Sequence, residues 1–424
     1  MGEDSHVRLE VGPVVADGRI AVSQTIERPG EGVIRFGFRD FALLPDRVRG
    51  LEVRCDGRRL EHQEVDHVFW NSKVSVPSGT RELQVTYLID PRWCPPGEPL
   101  REGSRQVCFV RPEASVIRTT VAFPRWECGT GPTTIAFRLQ PGWTALAPWA
   151  RVESQTFWAP GMTDEYIALG PFSSEVESIG ETESQIGRSG ALSSPPNGTS
   201  TEDIMRLVRW LADRLGLRGL KQHHSVAVLP GSLLRGGASG EQSLVCDDSP
   251  VTLAHEIAHW WIGKAFSMAP DATWFGEGVH SYYAYRCLWK SGLWNRERFS
   301  SALLALESQV RSMEHEAGHA YSLGQASIMY WKSADPWHDV IYRKGALFGL
   351  LLDARIQELT RGGSTLDHLL AVLCKTGSRN VSTVDITVAL QGALGVNASN
   401  VIETFVNRGT VIPSVRDLLT LVAE

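Results

Sequence analysis

The chain has 424 residues, 42% hydrophobic and 21% charged, with a formal net charge of −6, which leaves room for two or three domains of ordinary soluble composition. No basic block points to a nucleic-acid partner, and no apolar run approaches the roughly 18 residues that a bilayer span needs. The acidic start, Met1-Gly-Glu-Asp-Ser-His6, has no signal-peptide pattern, and seven cysteines without CxxC spacing read as packed free thiols, so the expected compartment is the cytoplasm.

From the N-terminus the chain reads first as β-structure. Asp17-Gly18 and Asp56-Gly57 are hairpin-turn pairs, flanked by Ile20–Val22 and Leu51–Val53. Further strands are expected over Val33–Phe38, Leu83–Ile89, Gln106–Val110, Ile117–Phe123, Thr133–Leu139 and Tyr166–Leu169. The strand spacing predicts an N-terminal all-β, sandwich-like domain over residues 1–172, with no helix. Residues 173–200, rich in Ser, Glu, Gly and Pro, read as a linker or mobile loop. The pattern then becomes helical. Ile204, Leu207, Val208, Leu211 and Leu215 share one face, with Ser200 and Asp203 as a cap. A short strand, Val226–Leu229, and a glycine-rich stretch, Arg235–Ser243, lead to a helix capped by Ser249, opened by Pro250 and stopped near Gly263. A second helix is expected from about Thr273 to Leu288, with others near 297–315, 338–360, 364–375, 382–394, 399–407 and 414–423. This gives an α+β domain over 201–360 and a helical region over 361–424.

The first of these helices carries His255-Glu-Ile-Ala-His259. Two imidazoles one turn apart lie on one helix face and can reach a single ion. With 12 His in the chain, such a motif arises by chance in roughly 2 of 100 chains of this length, so context decides its meaning. The context is Trp274-Phe-Gly-Glu277-Gly278, which offers a carboxylate from a second helix. His255, His259 and Glu277 are therefore the candidate ligands of one Zn2+ per chain, with a fourth position left for water. Zinc there would acidify water and polarise a carbonyl. Glu256 lies about 100° round the helix from His255 and would face the open position as the proton-transfer group. Tyr342, in Ile341-Tyr-Arg-Lys-Gly345, is the candidate donor to a developing oxyanion, although on spacing alone an ordinary buried tyrosine is the default reading. His223, His224 and His280 have no partner spacing and read as plain surface or core residues. Arg343, Lys344, Arg235 and Glu241 are the charges expected along a cleft.

These segments resemble the gluzincin metallopeptidases. Leu253-Ala-His-Glu-Ile-Ala-His-Trp-Trp-Ile-Gly263 and Trp274-Phe-Gly-Glu-Gly-Val-His-Ser-Tyr-Tyr283 look like the paired zinc-binding segments of that clan, and Tyr342-Arg-Lys-Gly345 looks like its transition-state tyrosine segment. The 17-residue spacer between His259 and Glu277 is close to that of the large zinc aminopeptidase and leukotriene hydrolase family. The downstream half is more similar to the glycyl aminopeptidase family, without its PDZ domain: Tyr342–Ile356, Gly362-Gly-Ser-Thr-Leu-Asp367 and Phe405-Val-Asn-Arg-Gly-Thr-Val-Ile-Pro413 carry that likeness. The resemblance implies a thermolysin-like catalytic domain after the β domain. It also implies that Gly237, Ala238, Ser239 and Glu241 line the substrate. Both families place an amine-anchoring Glu where this chain has Ser239, and the following His becomes Gly240, with Glu241 next.

The expected function is therefore a zinc-dependent metallopeptidase acting on peptide or amide bonds, with aminopeptidase action implied by the resemblance. Hydrolysis of a specialised small amide or ester is the alternative that Ser239 keeps open. A non-catalytic peptide-binding protein is the third, which the proton-shuttle residue Glu256 disfavours.

Overall fold

The computed structural model describes all residues except 1–5, 15–17, 39–46, 65–71, 91–107, 128–130, 191–198, 218–219, 333–335 and 423–424. The chain divides into two compact units, Met1–Ser194 with Gln222–Asp247, and Pro195–Lys221 with Asp248–Glu424.

The first unit is β-rich. Val7–Val14 pairs antiparallel with Ile20–Glu27 and parallel with Thr133–Phe137, inside an eight-stranded sheet. Alternation decides the faces: Val7, Leu9 and Val11 point into the core while Arg8 and Glu10 are exposed. Two four-stranded sheets accompany it. The Asp56-Gly57 turn forms as expected, with both residues at positive φ (44° and 78°) and Cys55 opposite Arg58. Asp17 lies outside the described residues, as do Gln106 and Val107. Ile117–Phe123 is not one strand. Ser115–Arg118 is extended, and Thr119–Ala122 closes a single helical turn. There the Thr119 hydroxyl donates to the Thr163 carbonyl at 2.6 Å and Thr120 to Asp164 at 3.0 Å, so side-chain bonds override the β preference of Thr and Val.

Residues 173–189, expected as linker, are strands. Phe172–Ile179 and Thr182–Ser189 form a hairpin at one side of a five-stranded sheet. The polar composition belongs to an edge strand with most side chains in water, which composition alone does not separate from a loop. The rest of the expected linker, 191–198, lies outside the described residues. Thr182–Ser189 pairs parallel with His223–Leu229, which pairs with Ser243–Asp247 and then Gly237–Ser239. These backbone bonds draw 222–247 into the first unit, so the expected 201–360 domain does not form one unit.

The second unit is helical. Ser200 and Asp203 make the reciprocal cap expected for Thr201–Leu215. Ser249 caps Pro250–Ala258, which ends five residues before Gly263. Trp274–Val279 and Val340–Lys344 are wide helical turns, with hydrogen bonds reaching five residues, that run into the helices His280–Lys290 and Gly345–Leu359. The two wide turns meet backbone to backbone. A Cβ on Gly278 would lie 2.8 Å from Gly345 Cα, and one on Gly345 would lie 2.5 Å from Gly278 Cα. One turn later Gly349 presses on the Tyr282 side chain. Below this contact, buried Asp353 accepts from Arg286 (3.0 Å), Tyr282 (2.8 Å) and the Leu366 N–H (2.9 Å), while Asp367 takes Arg286 (2.6 Å) and Tyr283 (2.9 Å). Leu366–Thr376 is thereby tied to the same body, and no boundary falls at 360. Among the described residues no helix is long and apolar enough to cross a membrane.

Gly345→Ala is expected to destabilise the protein by roughly 1–3 kcal/mol, because backbone cannot yield to a methyl group. Gly392→Ala, in helix Thr383–Leu394 with nothing within 4 Å, is expected to stabilise it by roughly 0.5–1 kcal/mol. Urea unfolding of both variants checks this; Gly345→Ala matching the parent would contradict the tight crossing.

Candidate metal centre

His255 lies in the last turn of Pro250–Ala258 and His259 caps it. Their rings meet edge to face with centroids 4.7 Å apart. The Glu277 carboxylate arrives from the wide turn Trp274–Val279, with Oε2 3.4 Å from His255 Nε2 and 3.7 Å from His259 Nε2. Ligands bound tetrahedrally at about 2.0–2.2 Å from zinc stand roughly 3.3–3.6 Å apart. The two carboxylate-to-imidazole separations lie close to that spacing. His259 Nδ1 faces the Ile262 carbonyl at 2.9 Å. Ser281 donates its hydroxyl proton to the Glu277 carbonyl (2.7 Å), so its oxygen can only accept from His255 Nδ1, at 3.5 Å. These oxygens place hydrogens on both Nδ1 atoms and leave both Nε2 lone pairs for a cation.

His280 is the neighbour that sequence spacing passed over. Its ring stacks on His255 at 4.3 Å and stands edge-on to His259 at 4.0 Å, and the three ligand nitrogens lie within 4.8 Å. Yet Nε2 meets the His255 carbonyl (2.9 Å) and Nδ1 the Gly276 carbonyl (3.2 Å). Both nitrogens face backbone carbonyls, which favours the Glu277 carboxylate over this ring as the third candidate donor. Burial, then the two adjacent imidazoles, holds its pKa well below the usual histidine range.

Tyr342 enters from the wide turn Val340–Lys344, and its hydroxyl donates to Glu277 Oε2 at 2.9 Å. Burial, then the Glu277 charge, raises the phenol well above its ordinary value, so it stays protonated. Glu256 is buried beside His255, and its charge acts on both His259 and Tyr342. Burial alone would push Glu277 up, but His259 and then His255 hold it well below the ordinary carboxylate range. Burial alone would push His259 down, but the charge and hydrogen bond of Glu277, with the Glu256 charge and the Ile262 carbonyl, together raise it.

Lys344 is not a cleft charge. It is fully buried and gives Nζ protons to Glu314 Oε1 and the Tyr321 carbonyl, each at 2.6 Å, which fixes the turn bearing Tyr342. Arg343 pairs with Asp339 at 3.2 Å on the surface. Tyr330, whose hydroxyl meets that of Tyr342 at 3.2 Å, had no place in the expected site. Its helix, Leu323–Tyr330, was not expected at all, although Ser322-Leu-Gly-Gln325 has the spacing of a helix cap and Ser322 does accept from the Gln325 N–H.

Gly237, Ala238, Ser239 and Glu241 belong to the first unit, whereas the candidate metal donors His255, His259 and Glu277 belong to the second. Gly237–Ser239 is the last strand of its sheet, half-exposed and bonded on one side to Ser243–Asp247. The hairpin that follows rests on buried Glu165, which accepts from the Gln242 N–H (3.0 Å) and the Ser243 hydroxyl (2.7 Å). A Cβ at Gly240 would fall 2.6 Å from the Asp164 carbonyl and 2.7 Å from Glu165 Oε2. Residue 240 therefore has no room for a side chain, which explains the glycine where the resembling families carry histidine.

In the metal-free protein the Glu277–His259 attraction needs both charges. The depressed carboxylate adds stability above the ordinary carboxylate pKa, and loses it as pH falls through the folded value. The raised imidazole adds stability below the ordinary histidine pKa, and loses it as pH rises through the folded value. The stability difference between parent and Glu277→Gln, measured by urea unfolding, should be largest near about pH 6 and shrink by about pH 9. A difference growing toward pH 9 would contradict this pairing.

No family model matches the sequence, and no curated protein matches it. Solved structures do. An aminopeptidase N family protein from Idiomarina loihiensis superposes with a TM-score of 0.76 at 16% identity, covering 98% of this chain and 78% of that one. A variant of an M1 zinc metallopeptidase from Deinococcus radiodurans, bound to a Tyr-Ser-Ala substrate, gives 0.64 at 16% identity, covering 96% and 95%. A two-domain M1 zinc metallopeptidase variant bound to L-tryptophan gives 0.63 at 16% identity, covering 96% and 95%. Nothing in these matches singles out the glycyl aminopeptidase branch. The chain has the fold of the M1 zinc metallopeptidase structures, with an N-terminal β-rich region, a mixed α/β part and C-terminal helices.

Proposed function

We propose that this chain is a zinc-dependent metallopeptidase of aminopeptidase type, with His255, His259 and Glu277 as the metal ligands. The observation that carries the reading is one carboxylate oxygen, Glu277 Oε2, lying 3.4 and 3.7 Å from two imidazole nitrogens and 2.9 Å from the Tyr342 hydroxyl. Zinc held there supplies a Lewis acid that acidifies water and polarises a substrate carbonyl. The chain supplies the rest. Glu256 accepts the proton of the attacking water and hands it to the leaving amine. Tyr342, kept protonated by burial and by the Glu277 charge, turns its O–H from Glu277 to the oxyanion of the tetrahedral carbon. The Nδ1 contacts of His255 and His259 hold both rings in the tautomer that leaves Nε2 as the ligand atom. Among the described residues, Cys55, Cys108 and Cys287 are buried thiols outside any disulfide, which supports a reducing compartment such as the cytoplasm.

The M1 neighbours, crystallised with a peptide and with amino acids, favour a peptide substrate read from its N-terminus. Ser239 favours a second reading, a specialised amide or ester, because a bound ammonium group needs a carboxylate and Ser239 supplies none at the position where the resembling families carry their Glu. Rates on a tripeptide, its N-acetylated form and matched amino-acid anilides and esters separate the two. Strong preference for the free amine supports the aminopeptidase; equal rates with and without acetylation support the second reading.

In either case Glu256→Gln should keep its zinc and lose about 10²–10⁴-fold in kcat, and Tyr342→Phe about 10²–10³-fold. A zinc-loaded parent inert on every peptide, amide and ester would overturn the enzymatic reading in favour of a peptide-binding protein.

A further inference from the structure

A phenol has one hydrogen to give. Tyr342 gives its own to Glu277 Oε2 at 2.9 Å, and a carboxylate only accepts. In the 3.2 Å contact between the two tyrosine hydroxyls, Tyr342 is therefore the acceptor and Tyr330 the donor. We propose that Tyr330 is a positioning residue for the reaction, fixing where the Tyr342 oxygen sits and strengthening it as a donor; this rests on the metallopeptidase reading above.

The directed chain Tyr330 O–H to Tyr342 O–H to Glu277 has two consequences. When Glu277 Oε2 is taken up by a cation, the Tyr342 hydrogen becomes available to the substrate oxyanion. The Tyr330 bond stays, holding the oxygen in place and directing the hydrogen away from Tyr330. A hydroxyl that accepts a hydrogen bond also donates a stronger one. Tyr330 is built for this task by the element that carries it. In helix Leu323–Tyr330, Ser327 accepts the Trp274 N–H at 2.9 Å, at the first residue of the wide turn bearing Glu277. Just beyond, Trp331 Nε1 donates to the Thr273 hydroxyl at 2.9 Å. At its other end, Ser322 donates to the Val406 carbonyl at 2.8 Å. The His338 ring lies 4.5 Å from that of Tyr342 and nearly parallel to that of Tyr330, limiting how either phenol can swing. Tyr330 and Glu277 thus sit on two elements tied by the Ser327–Trp274 bond, and the Tyr342 hydroxyl meets both.

Tyr330→Phe removes one oxygen and keeps the ring. The expected result is unchanged zinc content and melting temperature, kcat lowered about tenfold and KM unchanged. Affinity for a phosphonate peptide analogue, which mimics the tetrahedral oxyanion, should fall by the same factor. In a Tyr342→Phe background, adding Tyr330→Phe should change neither quantity, because its effect passes through the lost hydroxyl. Equal losses in both backgrounds, or early melting and lost zinc, mean a general structural role and overturn the proposal. Full activity in Tyr330→Phe beside a crippled Tyr342→Phe overturns it while leaving the metallopeptidase standing. A zinc-loaded parent that neither hydrolyses peptide nor binds the phosphonate overturns both.

Discussion

Three side chains converge on Oε2 of Glu277. Two of them are imidazoles fixed by the pitch of one helix, and the third is a phenol 65 residues further along the chain. An anionic oxygen among groups of this kind is stable only if they are cationic, donate hydrogen bonds to it, or share a metal with it. The strong depression of the Glu277 carboxyl and the matching rise of His259 are the electrostatic signature of that requirement in the bare protein. A divalent cation would meet it at every pH at which the imidazoles are neutral.

The rest of the second unit reads as the means of holding this convergence. Glu277 and Tyr342 both ride on wide helical turns, and the turns touch at Gly278 and Gly345, where neither position has room for a methyl group. Around them lie buried ion pairs. Lys344 is clamped by Glu314, and Arg286 by Asp353 and Asp367. Removing one partner of such a buried pair costs roughly 3–5 kcal/mol, since the other charge is left uncompensated. The cost falls on whichever arrangement breaks the pair, so these contacts penalise displacement of the turns that carry the site.

The candidate donors His255 and His259 are legible because helical spacing encodes them locally, one turn apart, with a cap at Ser249 and a proline at 250. Tyr342 was legible through the likeness of Tyr342-Arg-Lys-Gly345, while its use of Glu277 was not. Other features escaped because the deciding partner is distant in sequence. Lys344 looks like any surface lysine until Glu314 is seen against it. Tyr330 acquires meaning only from a hydroxyl on another element. Strands Phe172–Ile179 and Thr182–Ser189 looked like linker because an edge strand keeps polar residues in water, and parallel pairing with His223–Leu229 leaves no local trace. The same pairing redrew the unit boundary. Gly240, a departure from the family pattern, turned out to be a packing requirement set by Glu165.

The most direct test of the account is X-ray absorption spectroscopy of the zinc-loaded full chain, beside metal analysis of the Glu277→Gln variant. The account predicts one zinc per chain with two imidazole nitrogens and otherwise oxygen in its shell, and a large loss of zinc when Glu277 is neutralised. A shell of three imidazoles, which would bring in His280, or stoichiometric zinc indifferent to Glu277, would contradict it.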